Sequence, residues 1–360
     1  MGYRMLSNLD IAKDALDSVI TKSRVHLYKP IQIAEILFSQ RTNSDLNIDL
    51  MELETYRTRS KKWRDIVCMQ FLGRVSTSSA KFQDNLFEDN AIPPVLLSSL
   101  GIENIDNDGI VEAYIYKKFE EKHMQLENAL NYCLQSTKEN FELMGFLNQF
   151  WEQPGLKRSL DKIFEIVIYS LFEVITTAMK VKIDIYYDSE TTGILSEFSE
   201  FAEKVLNLNA ENNRKTLDAH FHRVGVTNAA DRGLDMYANF GSVVQIKHLS
   251  LDEDLAEDIV TSITSNKIII VCKSAEENII NSLLTQIGWR SRIQAVITVD
   301  ELVSWYEKAL TGTYSDELGE KIISTLSDEI KNEFPSVGNN DFQVFKNNRG
   351  YNNLSSEYWA

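Results

Sequence analysis

Apolar residues recur at two different periods along this chain, and the change between them divides it. Over the first 150 residues the spacing is three or four, the period of helices that bury one face. Residues 10–21 predict an amphipathic helix, and Pro30 suits the first turn of a second helix running to about Gln40. Residues 54–72 predict one or two helices ended by Gly73, and Pro93-Pro94 forces a break. The polar run 102–109 predicts a loop, after which 109–150 return to helical spacing. Pro154-Gly155 marks a domain boundary. It precedes a helix over 157–179 that is apolar on most faces and therefore predicted to be buried.

Beyond this point short runs replace long ones. Residues 181–187 predict a strand and 194–206 a helix. Residues 234–240 and 242–249 predict two strands joined by a turn at Gly241-Ser242. A helix over 252–265 opens with acidic residues, as the helix dipole favours. The apolar run 267–272 predicts a buried strand, followed by a helix over 275–287, a strand over 293–299 and a helix over 300–310 N-capped by Asp300. The last 45 residues, rich in Asn and Ser, predict a loosely held tail. The expected architecture is α/β with a mixed sheet: a mainly helical region over 1–153, the sheet-bearing core over 154–315, and a C-terminal extension over 316–360.

The hairpin carries the chemistry. In a tight hairpin the start of the first strand lies beside the end of the second, so Asp235 meets Gln245 and Lys247 at one sheet edge. Gln245 and Lys247 share a face because side chains alternate along a strand. A carboxylate, an amide oxygen and an ammonium converging there, with the Ile246 carbonyl between them, suit a hard divalent cation beside an activated water. The spacing alone is loose, and a solvated hairpin with a surface ion pair would produce it as readily.

The elements after the hairpin give it more weight. Hairpin, helix, strand, helix, strand resembles the core of nucleases of the PD-(D/E)XK type, whose active site is such a hairpin. The segments Gly73-Arg-Val-Ser-Thr-Ser-Ser-Ala-Lys-Phe-Gln-Asp-Asn-Leu-Phe87, Val226-Thr-Asn-Ala-Ala-Asp-Arg-Gly-Leu-Asp235 and Gln245-Ile-Lys-His-Leu249 resemble those of HaeII-type restriction endonucleases, as does Val25-His-Leu-Tyr-Lys-Pro-Ile-Gln-Ile-Ala34 near the start. The resemblance implies a type II enzyme that cuts both strands of a short palindrome, RGCGCY, with Mg²⁺ as cofactor. It assigns Asp235, Gln245 and the Ile246 carbonyl to the metal and Lys247 to the attacking water. Gln245 departs from the superfamily, which usually has Asp or Glu there; an amide oxygen ligates a metal but brings no charge. Family practice also puts an acidic residue on the preceding helix. Glu165 and Glu173 both lie in its apolar context, and Glu165 is the better candidate, with pairing to Lys162 or Arg158 as the structural alternative. Asp231 and Arg232 lie close enough in sequence to serve either as phosphate contacts or as loop structure.

Composition narrows the partners. Apolar content of 43% and charged content of 25% are ordinary for a water-soluble globular chain. No apolar stretch approaches membrane-spanning length, and the N-terminus lacks a signal-peptide core. Cys68, Cys133 and Cys272 are widely spaced, which predicts reduced thiols in a cytoplasmic protein. His220-x-His222 has no third ligand nearby and predicts a strand or loop detail. The net charge of −16 opposes indiscriminate nucleic-acid binding, yet residues 55–85 hold seven basic residues against two acidic ones. Within them Lys61, Lys62 and Arg64 are candidates for phosphate contact. Arg74, Ser76, Thr77, Ser78, Ser79, Lys81 and Gln83, the side chains that hydrogen-bond base edges and phosphates, predict a recognition loop.

A palindromic duplex and one candidate active site per chain imply a homodimer on double-stranded DNA, and the resemblance implies a cognate DNA methyltransferase as a separate system partner. Two other readings stand at this point: a DNA-binding protein on a nuclease scaffold without cleavage, and a repair nuclease that reads DNA structure.

Overall fold

The computed structural model describes residues 7–23, 26–76, 85–88, 91–152, 159–209, 211–224, 234–263, 265, 267–275, 292–334 and 341–360. It is a mixed α/β protein in two compact units. One comprises Met1–Gln135, Gly145–Leu160 and Ser327–Ala360; the other comprises Ser136–Met144 and Asp161–Leu326.

The first unit is helical, with helices over Asn8–Lys22, Tyr28–Thr42, Arg57–Leu72, Pro94–Asp106 and Ile110–Gln135. Local signals set some of their ends. Ser7 and Asp10 form a reciprocal capping box at the start of the first, and Gly73 ends the third at φ 63°, a conformation that a Cβ would resist. The run 102–109 departs from the expected loop: its first five residues continue the helix to Asp106, and the chain turns only at Asp108 and Gly109, both at positive φ. The polar residue that suggested a loop is a buried connector. Asn104 accepts from the N–H groups of Val111 and Glu112 and donates to the Glu112 carboxylate at 2.6 Å, so it caps the next helix from inside the core. The expected helix over 109–150 is interrupted, its parts being Ile110–Gln135 and Leu143–Trp151.

The C-terminus corrects the expectation of a loose tail. Residues 327–360 belong to the helical unit, and Phe342, Phe345, Tyr351 and Trp359 join its core. Arg349 donates to both oxygens of Glu35 at 2.6 and 3.1 Å, and Trp359 Nε1 donates to Glu103 at 3.1 Å. Sparse aromatic residues in an Asn-rich stretch thus anchor it, because each large ring buries apolar area that the polar residues between do not. Residues 327–360 group with the helical unit, and residues 316–326 with the other. The expected boundary at Pro154-Gly155 lies outside the described residues.

The second unit opens with the site helix, Leu160–Ala178, which buries Ile163, Phe164, Ile166, Val167 and Leu171. Strands β1 (Lys182–Tyr186) and β2 (Arg214–Asp218) pair antiparallel as a separate ribbon. The expected helix over 194–206 is broken at Phe198 into short helical pieces and a π turn. Then comes the sheet β3 (Phe221–Arg223), β4 (Met236–Ala238), β5 (Val243–Leu251), β6 (Ile268–Ala275) and β7 (Ile293–Thr298), in that spatial order. The first two pairings are antiparallel and the last two parallel. A helix over Glu253–Ser262 makes the β5–β6 crossover, N-capped by Asp252, whose side chain accepts from Leu255 N–H. The expected helix over 275–287 lies outside the described residues except for Ala275, which ends β6. After β7 the helix Val299–Thr311 is capped by Thr298 with Glu301, rather than by Asp300, which sits within its first turn.

Candidate active site

The hairpin places its carboxylate where the spacing predicted. Met236 pairs with Val244 and Tyr237 with Val243, so the same diagonal sets Asp235 opposite Gln245. Gly241, at φ 99°, turns the chain between the strands. Asp235 Oδ2 accepts two hydrogen bonds, from Gln245 Nε2 at 2.8 Å and from Ile246 N–H at 2.7 Å. The N–H and C=O of a strand residue point to the same side, so the Ile246 carbonyl opens to the edge occupied by Asp235. Lys247 shares the face of Gln245, and its positive charge favours ionised Asp235. Between Lys247 and Ser250 the β5–β6 register shifts by one residue, a bulge of the kind that re-aims strands beside reactive centres.

The site helix supplies the second carboxylate. Glu165 is 4% exposed, and Lys162 Nζ lies 2.7 Å from both of its oxygens. Arg223 on β3 stands 4.0 Å from Glu165 Oε2. Burial pushes the Glu165 carboxyl up to about 7; the negative charge of Asp235 adds to this, and Lys162 and Arg223 offset it only in part. Asp235 is raised too, first by burial, against the opposing pull of the Ile246 N–H, Lys247 and Lys162. Burying two neighbouring carboxyl groups is costly, which marks them as candidates for a functional site.

Glu173 separates cleanly from Glu165. It accepts from Phe221 N–H at 2.8 Å and lies 2.7 Å from His220 Nδ1, joining the site helix to β3 as a structural bracket. His222 stacks obliquely on Tyr237, ring centroids 5.1 Å apart, so the histidine pair is a sheet detail. Arg223 was not visible in the sequence because β3 is three residues long. Asp231, Arg232 and Arg158 lie outside the described residues.

The HaeII restriction endonuclease family model matches residues 12–351. The chain belongs to that family. It is 53% identical over 347 residues to the type II restriction enzyme HaeII of Haemophilus aegyptius, covering 96% of this chain and 98% of that one. It is 54% identical over 341 residues to the type II restriction enzyme NgoBI of Neisseria gonorrhoeae, covering 94% and 96%. No solved structure matches it. No helix among the described residues is long and apolar enough to cross a membrane.

The donor set of this HaeII-family chain fits a hard divalent cation. Asp235 Oδ1 takes neither of the bonds made to Oδ2, the Ile246 carbonyl faces the same edge, and Glu165 brings a buried second carboxylate. Among the described residues no group of three His, Cys, Asp or Glu side chains could hold a metal, so amide and backbone oxygens would complete the shell. Gln245 is 3% exposed and spends its N–H on Asp235, which orients that carboxylate before any ion arrives; its amide oxygen remains as a donor.

The basic segment of the helical unit divides in two. Lys62 is exposed and Lys61 half-buried. Arg64 is corrected as a phosphate contact: it is fully buried, donating to Asp65 at 2.6 and 2.9 Å and to Gln32 at 3.2 Å. Its side of the helix faces the core, a fact that charge counting along the chain does not register. Arg74 is largely buried, with Glu333 at 3.9 Å, and Ser76 lies two residues after it. Thr77, Ser78, Ser79, Lys81 and Gln83 lie outside the described residues.

Proposed function

We propose that this chain is a cytoplasmic type II restriction endonuclease that hydrolyses both strands of double-stranded DNA at a short palindrome, RGCGCY, using Mg²⁺, as a homodimer whose cognate methyltransferase acts separately. The observation that carries the reading is the Asp235 carboxylate, clamped by Gln245 and Ile246 beside Lys247 and facing buried Glu165, in a chain of this family. Asp235, Glu165, the Ile246 carbonyl and the Gln245 amide oxygen would hold the ion. Bound there, Mg²⁺ supplies Lewis-acid polarisation of the scissile phosphate and eases deprotonation of water.

The protein's own groups do the rest. Gln245 and Ile246 fix one oxygen of Asp235, so the carboxylate needs little reorganisation during reaction. Lys247 places an ammonium where negative charge grows on the phosphoryl oxygens, and it favours the hydroxide form of the attacking water. Each chain contributes one such site, so cutting both strands of a two-fold symmetric sequence calls for two chains, each reading half of it. Lys61, Lys62 and the segment from Arg74 to Gln83 are the proposed DNA contacts in the helical region, with base reading assigned to the latter.

Digestion of plasmid DNA with purified protein tests this, run with Mg²⁺ and with EDTA and followed by sequencing of the ends. Discrete fragments whose ends map to RGCGCY sites support the reading. Binding without cleavage marks an inactive scaffold, and cutting confined to branches or lesions marks a repair enzyme; either outcome overturns it.

A further inference from the structure

Lys162 lies one helical turn before Glu165, and its ammonium sits symmetrically on both carboxylate oxygens at 2.7 Å. The carboxylate it serves is almost wholly enclosed, whereas the lysine side chain is 22% exposed. The same charge reaches Asp235, so one ammonium faces the two carboxylates on which a divalent ion would depend. Arg223 stands further off, 4.0 Å from Glu165 Oε2. A divalent ion and the ammonium compete for the position in front of Glu165, because like charges repel strongly in a poorly solvated pocket. A lysine is suited to vacating such a place, since its flexible stem can carry the ammonium to water.

We propose that Lys162 is a built-in counter-ion, which occupies the cation position at Glu165 in the metal-free protein and is displaced when a divalent cation binds. The proposal rests on reading Asp235 and Glu165 as the metal-binding pair. It makes Lys162 a determinant of metal affinity. The lysine keeps the empty site stable and raises the ion concentration needed to fill it.

The test is calorimetric titration of Mn²⁺ and Ca²⁺ into the metal-free full-length protein at pH 8.5, without DNA. Lys162→Gln and Lys162→Met, the second keeping the apolar packing of the stem, are each expected to bind the ion about tenfold more tightly than the unaltered protein. Lys162→Arg, which keeps the charge, is expected to bind no more tightly than the unaltered protein. Thermal unfolding gives a second readout: both neutral variants melt below the parent in EDTA and gain more from added Ca²⁺ than the parent does. Unchanged or weaker binding in both neutral variants overturns the proposal. Asp235→Ala separates the two levels. If it abolishes ion binding while the Lys162 variants do not tighten it, the counter-ion idea alone fails; if it leaves ion binding intact, the metal-site reading fails with it.

Discussion

Replacing Glu165 by Gln separates the electrostatic cost of the site from its shape. The substitution keeps the side chain's size and removes only the charge and its titration. Burial raises this carboxyl from its ordinary value of 4.5 to about 7. A group whose folded-state pKa is raised contributes stability that is complete below its unfolded value and is lost as pH rises through the folded one. The window is therefore about 4.5 to 7, and a rise of that size corresponds to about 3 kcal/mol. In EDTA, Glu165→Gln is expected to gain about that much relative to the parent between pH 4.5 and pH 8, because only the parent must ionise a buried acid. Lys162, left without its carboxylate, is partly exposed and can turn to water. Urea unfolding at a series of pH values measures the difference, in which carboxylates remote from Glu165 cancel and the neighbouring Asp235 is the one coupled to it. A difference that stays constant across this window would refute the argument that Glu165 is held ionised at a cost. The same variant should lose cleavage, so the stabilised protein would be the inactive one.

Asp235→Ala should abolish cleavage yet still bind cognate DNA in Ca²⁺, as read by gel shift, and Lys247→Ala should slow single-turnover cleavage by at least ~10²–10³-fold. Gln245→Glu sets a second carboxylate against Asp235 in place of an N–H donor, so it should lower the melting temperature in EDTA at pH 8 while ion affinity is retained or improved; equal melting would contradict the clamp. Arg64→Ala should cost about 3–5 kcal/mol of folding stability in urea, since it strips partners from buried Gln32 and from Asp65. Lys62→Ala should leave stability unchanged, weaken binding to all DNA sequences alike and reduce the salt slope by about one.

Much of the candidate site was legible in the chain because it is local. A tight turn at Gly241 fixes the hairpin register, register sets Asp235 opposite Gln245, and strand alternation puts Lys247 beside them. Helices with strong periodicity were legible for the same reason, since their hydrogen bonds join residues near in sequence, and strands were legible by their apolar runs and two-residue alternation. Polar and charged residues outside the hairpin were not, because one residue type serves both surfaces and buried networks. Asn104 looked like a loop residue and is an internal cap, Arg64 looked like a phosphate contact and is buried, and the Asn-rich C-terminus looked loose and is anchored by Tyr351, Trp359 and Arg349.

The α/β order, the hairpin and the meeting of Asp235 with Gln245 were readable from the chain alone, since each depends on backbone geometry over a dozen residues. The partners of Glu165 and Glu173, which lie two turns apart on one apolar helix, were not. Packing set the first against Lys162, Arg223 and Asp235, and bracketed the second to His220 and Phe221. A carboxylate's role is fixed by the charges and donors that long-range contacts bring to it, and no local pattern encodes those.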